Sequence, residues 1–178
     1  KGPKFLHYQP YYTLITSLEF DHADIYRDLD HLTSSFEKLI ATTHPSGTLF
    51  LLKGTYPKLD ELIKTAETNG RQVITYGLEN ADFTVKNISY QEQTTQFEVL
   101  EKNLEKVLLS SPLPGEHNVL NVLVSYALAR TLGFSPKEIA LALSSFQGVK
   151  RRQEIRGIVN DMIVIDDFAH HPTAVQET

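Results

Sequence analysis

The feature that most restricts the fold of this chain is an alternation of short β-branched runs with amphipathic stretches over its first 76 residues. Residues 13–20 (TLITSLEF) read as a buried strand. In residues 29–42 the apolar positions Leu29, Leu32, Phe36, Leu39 and Ile40 recur at three- and four-residue steps, which predicts an amphipathic helix with Asp28 as its N-cap. His44-Pro45-Ser46-Gly47 ends it with turn chemistry. A strand over 48–53 (TLFLLK) follows. The next helix spans 57–68, with Pro57 in its first turn and Asn69-Gly70 as its stop. Residues 71–76 (RQVITY) form the third strand. Strands that alternate with helices need crossovers, so the expected fold class is α/β, a mostly parallel sheet flanked by helices.

The pattern then changes. Residues 83–90, 96–101 and 104–109 read as short strands between polar turns, with Lys102-Asn103 as a hairpin tip, which predicts an antiparallel edge added to the sheet. A loop over 112–115 precedes helices over 117–132 and 135–146. Gly133 stops the first, and Ser135 with Glu138 forms a capping box for the second. Residues 153–159 and 162–167 predict a hairpin around Asn160-Asp161. Gly148-Val149-Lys150 is the best linker, so 1–149 is expected to be one domain and 150–178 the start of another. The chain opens on Lys1 without Met and stops at Thr178 just as a helix is expected to begin, which predicts a segment of a longer protein.

Composition removes several function classes. There is no cysteine, so there is no disulfide framework, thiolate metal site or cysteine nucleophile. That suits a reducing, cytoplasmic setting. A net charge of −5 disfavours nucleic acid as a partner. No apolar run approaches the roughly 18 residues of a membrane helix, and no secretory signal is visible.

Four clusters carry ionisable or hydrogen-bonding chemistry. Asp21-His22-Ala23-Asp24 follows the first strand, where open α/β sheets bind ligands. It suits a hard cation or a metal-bound phosphate, or simply caps the next helix. Gly115-Glu116-His117-Asn118-Val119-Leu120-Asn121 places a glycine loop at a helix start. Asn118 and Asn121 share a face there, and an amide suits an adenine edge; ordinary N-capping is the plain alternative. Lys150-Arg151-Arg152 offers guanidinium forks to phosphate or is a solvated linker. Asp166-Asp167-Phe168-Ala169-His170-His171-Pro172-Thr173 delivers two acids and two histidines from a strand end, as a metal site or as a ribose-binding loop, and Thr173 is a candidate helix cap.

These clusters, in this order, resemble the Mur ligase family over nearly the whole chain: a strand ending in Glu-Phe-Asp-His, then Gly-x-His-Asn-x-x-Asn, Gly-Val-Lys-Arg-Arg-x-Glu, and Asp-Asp-Phe-Ala-His-His-Pro-Thr. Lys4-Phe5-Leu6-His7-Tyr8 and His22-Ala23-Asp24-Ile25-Tyr26 point within the family to the branch that takes a whole murein tripeptide, with the L-alanine-adding branch second. The resemblance implies a parent of three domains, with 1–149 in the central ATP-binding domain and 150–178 opening the C-terminal one. It implies ATP and Mg²⁺ as cofactors. It also implies UDP-N-acetylmuramate and L-alanyl-γ-D-glutamyl-meso-diaminopimelate as partners, joined through an acyl phosphate during cell-wall recycling. By position, His22 would be a ligand of the second Mg²⁺ and so part of the catalytic apparatus. Asn118, with His117 and Asn121, would meet adenine. Arg152 would approach the terminal phosphates, Asp167 would take the ribose hydroxyls, and His170 would line the nucleotide or its hinge.

There are departures. The glycine-rich phosphate loop and the acidic metal ligand expected before Lys1 are not in these residues, so this segment by itself is not expected to turn over ATP. Ser17 stands where many relatives have Asn, and Phe36 where some carry a modified lysine. Two readings from other classes remain. One is a metal-dependent phosphoesterase built on Asp21, His22, Asp166, Asp167 and His170; the other is a non-catalytic nucleotide-binding domain.

Overall fold

The computed structural model describes residues 2–91, 94–102 and 106–177. Six strands form one sheet in the order β1-β2-β3-β4-β5-β6: β1 (Tyr12–Ile15), β2 (Thr48–Leu52), β3 (Gln72–Gly77), β4 (Phe83–Tyr90), β5 (Thr95–Glu101) and β6 (Val107–Ser111). β1, β2 and β3 are parallel and successive strands among β4, β5 and β6 are antiparallel, as the sequence pattern predicts, while β4 joins β3 in parallel, which the pattern does not announce. All five β2 residues are buried, because α2 packs on β2 from one crossover and α3 also packs on it.

The helices begin and end where local chemistry dictates. In α1 (Leu29–Thr42) the Asp28 carboxylate accepts from the His31 N–H at 2.7 Å. Helix α2 (Pro57–Thr68) starts on proline and stops before Gly70, whose φ of +71° is the left-handed conformation that ends helices. Helix α3 (Glu116–Thr131) carries Val119, Leu123, Val124, Tyr126 and Ala127 into the core. Its far end is pinned by Arg130, whose Nε donates to Glu101 Oε1 on β5 at 2.7 Å. Helix α4 (Pro136–Ser144) has the reciprocal Ser135–Glu138 capping box.

The expected strand over 13–20 is shorter than its composition suggests. β1 stops at Ile15, paired with Leu51, and Thr16 onward leaves the sheet as an irregular loop. β-branched residues raise strand propensity but do not supply a partner. Residues 104–109 are replaced by Val107–Ser111, and Asn103 and Leu104, expected at the hairpin tip and strand start, lie outside the described residues. Other bounds shift by one or two residues.

After α4 a second, separate sheet forms from β7 (Glu154–Val159) and β8 (Met162–Asp166). Its turn residues Asn160 and Asp161 have φ of +48° and +62°, the paired left-handed conformation of a tight hairpin. Helix α5 (Pro172–Glu177) closes the described chain. Thr173 lies inside this helix and does not cap it.

Candidate functional site

The carboxyl ends of β1 and β2, the start of α3, the end of α4 and the segments flanking the β7–β8 hairpin surround one cavity of about 1100 Å³. That is ample for a nucleotide-sized ligand. His117, Asn118, Asn121, Arg152, Asp167 and His170 all line it. Three separate stretches of sequence therefore converge on one space.

Each contribution has a local cause. Gly115 has a φ of +90°, and a Cβ there would come within 2.8 Å of His117 Cε1. The glycine both makes the turn into α3 and leaves room for the imidazole. Asn118 Nδ2 donates to Pro114 O at 2.6 Å, which fixes the amide plane. Asn121 lies three residues further along the same face. Leu143 and Phe146 add apolar surface to the lining of the same cavity.

The two neighbouring arginines differ. Arg151 is engaged: its guanidinium sits 5.0 Å over the Phe168 ring and 3.8 Å from Asp166. Arg152 has no carboxylate partner among the described residues and lines the cavity. Arg151 and Gln153 have φ of +59° and +50°, unusual for side-chain-bearing residues. Cross-links hold that strained turn. Phe168 N–H donates to Arg151 O at 2.9 Å, and Gln153 N–H to Asp167 Oδ2 at 2.8 Å. Ala169 N–H donates to Asp167 Oδ1 at 2.6 Å. Both Asp167 oxygens thus already accept backbone hydrogens, while each retains a lone pair. His170 Nδ1 lies 2.9 Å from Phe168 O, and its ring meets Phe168 edge-on.

His22 stands apart from these. Asp21 lines the cavity, whereas the His22 imidazole lies at the rim, more than half exposed, with Nε2 3.7 Å from Asp21 Oδ2. His22 itself has a φ of +57°. Its N–H donates to Asp21 Oδ1 at 2.6 Å, and this bond is the main cause holding the Asp21 carboxyl below its usual range. Positive charge on His22, His171 and His170 acts in the same direction. Among the described residues no three of His, Cys, Asp and Glu gather closely enough to hold a metal ion. The two-metal phosphoesterase arrangement on Asp21, His22, Asp166, Asp167 and His170 is therefore not found among the described residues.

Residues 4–129 match the Mur ligase middle domain. Over 175 residues, 98% of its length, the chain is 36% identical to the UDP-N-acetylmuramate–L-alanine ligase of Clostridium botulinum. This chain belongs to the Mur ligase family. It spans 37% of that relative's length. A murein peptide ligase from Psychrobacter arcticus is 32% identical, with a TM-score of 0.69 over 97% of this chain and 34% of the other. MurF from Acinetobacter baumannii, at 22% identity, shares the fold with a TM-score of 0.84 over 97% of this chain and 37% of its own.

For this Mur ligase segment, sequence reasoning missed one group of cavity residues. Glu19, Tyr56, Gln153, His171 and Thr173 also line the space. Glu19 was hidden because it fell inside an apparent strand. His171 and Thr173 were noticed as types, but their partners lie more than 150 residues away along the chain. Among the described residues no helix is long and apolar enough to cross a membrane.

Proposed function

We propose that the full-length parent is an ATP-dependent, cytoplasmic amide-forming ligase that joins UDP-N-acetylmuramate to L-alanyl-γ-D-glutamyl-meso-diaminopimelate. We place its domain boundary at the linker, with 1–149 in the central domain and 150–178 opening the next. The observation that carries the reading is the convergence of His117, Asn118, Asn121, Arg152, Asp167 and His170 on one nucleotide-sized cavity in a chain of this family.

The donor set suits ATP. Asn118 and Asn121 present amides that donate and accept at an adenine edge, and Leu143 and Phe146 add apolar surface to the same cavity. Asp167 has remaining lone pairs for ribose hydroxyls while its backbone bonds keep it in place. Arg152, with no carboxylate partner among the described residues, is the cation for terminal phosphates and for charge that develops during phosphoryl transfer to the lactyl carboxylate. His170 is held by Phe168 at the edge of the nucleotide space. His22, with Asp21 beside it, is the residue that would hold Mg²⁺, which neutralises phosphate charge so that two anions can approach. Attack of the peptide amine on the resulting acyl phosphate gives the amide and releases phosphate.

A second reading keeps the same chemistry with L-alanine as the amine. The 36% identity to an alanine ligase favours it, and the 32% identity to a murein peptide ligase favours the first. Lys4 to Tyr8 and His22 to Tyr26 support the tripeptide. The test supplies the full-length protein with ATP, Mg²⁺ and UDP-N-acetylmuramate, plus either tripeptide or L-alanine, and weighs the product. A UDP-muramyl tripeptide is expected. Turnover with L-alanine alone would move the protein to the second reading.

A further inference from the structure

The hydrogen bonds around Glu19 join three parts of the molecule that the ligand roles above leave unconnected. Its carboxylate sits in the loop after β1, three residues before His22. Tyr56, the N-cap residue of α2, donates its hydroxyl to Glu19 Oε1 at 2.6 Å. His171 lies with Nδ1 3.8 Å from Glu19 Oε2, and its other ring nitrogen is 3.3 Å from Phe20 O. The Glu19 side chain is 29% exposed, so these bonds are partly sheltered from water. The Tyr56 bond is the main cause holding its carboxyl below the usual glutamate range, and Thr173, in the first turn of α5, and His171 act in the same direction. The Tyr56 hydroxyl and the His171 ring thus face one carboxylate oxygen each. A glutamine, with one acceptor oxygen and two N–H donors, cannot satisfy that set.

We infer that Glu19 is a positioning residue that clasps the start of α5 to the loop after β1, and so fixes how the Asp167–His170 loop stands over the nucleotide cavity. The inference rests on the ligase reading only in assigning the cavity to a nucleotide. Hydrophobic burial cannot do this work, because the β7–β8 strands that precede the loop are largely exposed. Pro172 follows His171 directly, so a contact with either His171 or Thr173 also restrains the approach of the loop to α5.

The test compares Glu19→Gln, Thr173→Val and the double variant in the full-length enzyme. Thr173→Val breaks the same link from the other side without altering the loop after β1. Hydrogen exchange of the 168–176 amides is expected to accelerate about tenfold in each single variant, the scale of one charge-assisted hydrogen bond. The double variant is expected to exchange no faster than the worse single one. In steady state, KM for ATP is expected to rise about tenfold with kcat falling less than threefold. The exchange arm needs no substrate, so it stands or falls separately from the identity of the acceptor. Unchanged exchange in Glu19→Gln would overturn the inference. So would loss of kcat in Glu19→Gln with Thr173→Val unaffected, which would make Glu19 a direct contact of the reacting atoms.

Discussion

β2 and β8 are built from similar residues, TLFLL and MIVID, yet β2 buries every position and β8 buries none. Leu49, Phe50 and Leu51 have no exposed surface, whereas Ile163 and Ile165 keep 58% and 55% of theirs. β2 is a central strand with helices on both faces. The β7–β8 hairpin is a two-stranded ribbon shaped by its Asn160-Asp161 turn. An apolar, β-branched run specifies a strand but does not say what covers it. The two regions are therefore held by different physics. Packing fixes the six-stranded sheet, and polar cross-links around Asp167 and Glu19 place the segment beyond it.

The largest expected effect sets those regions against each other. In the 178-residue chain, Phe50→Ala should cost about 3–5 kcal/mol in denaturant unfolding, since it removes a fully buried ring. Ile163→Ala should cost less than about 0.5 kcal/mol, because little of its surface leaves water on folding. Equal losses at the two sites would erase the distinction.

A smaller loss is expected from Asp167→Ala, which deprives the Gln153 and Ala169 amides of their acceptor. The expected cost is about 1–3 kcal/mol, confined to the linker and loop. It should appear as faster exchange at residues 151–154 and 167–169, with the midpoint for the six-stranded sheet unmoved. A shift of that midpoint would mean the two regions unfold as one.

Gly115→Ala should act on the site with a modest effect on stability, about 1 kcal/mol from the positive φ. The added methyl must displace the His117 ring. Nucleotide affinity of the full-length protein should fall, as measured by calorimetric titration. Unchanged affinity would remove His117 from the binding set.

The smallest effect concerns pH. The folded carboxyl of Glu19 titrates below its ordinary 4.5. Its contribution is therefore complete above the unfolded value and is lost as pH falls through the lowered folded one. Protection of the α5 amides should weaken in that acid window, and Glu19→Gln should flatten the dependence. The opposite slope would contradict the assigned hydrogen bonds.

Much of the sheet domain was readable from sequence because its boundaries are set locally. Asp28, Pro57, Gly70 and the Ser135–Glu138 pair mark helix ends by their own backbone chemistry. β1 was overextended, because residues 16–20 retain strand composition after the pairing with β2 has ended. The same error concealed Glu19. Its partners Tyr56 and His171 come from distant parts of the chain, and no spacing rule links them. The candidate site was legible as four clusters whose common order resembles one family. That His22 stands at the rim while Asp21 faces the cavity depends on the left-handed turn at His22, which its residue type does not announce.

The most direct test of the ligase account is ATP consumption by the full-length protein with Mg²⁺, measured with and without UDP-N-acetylmuramate and the tripeptide. The account predicts ADP and phosphate release only when both acceptors are present, and its loss in Arg152→Ala but not in Arg151→Ala. ATP hydrolysis at the same rate without any UDP-muramyl substrate would contradict it.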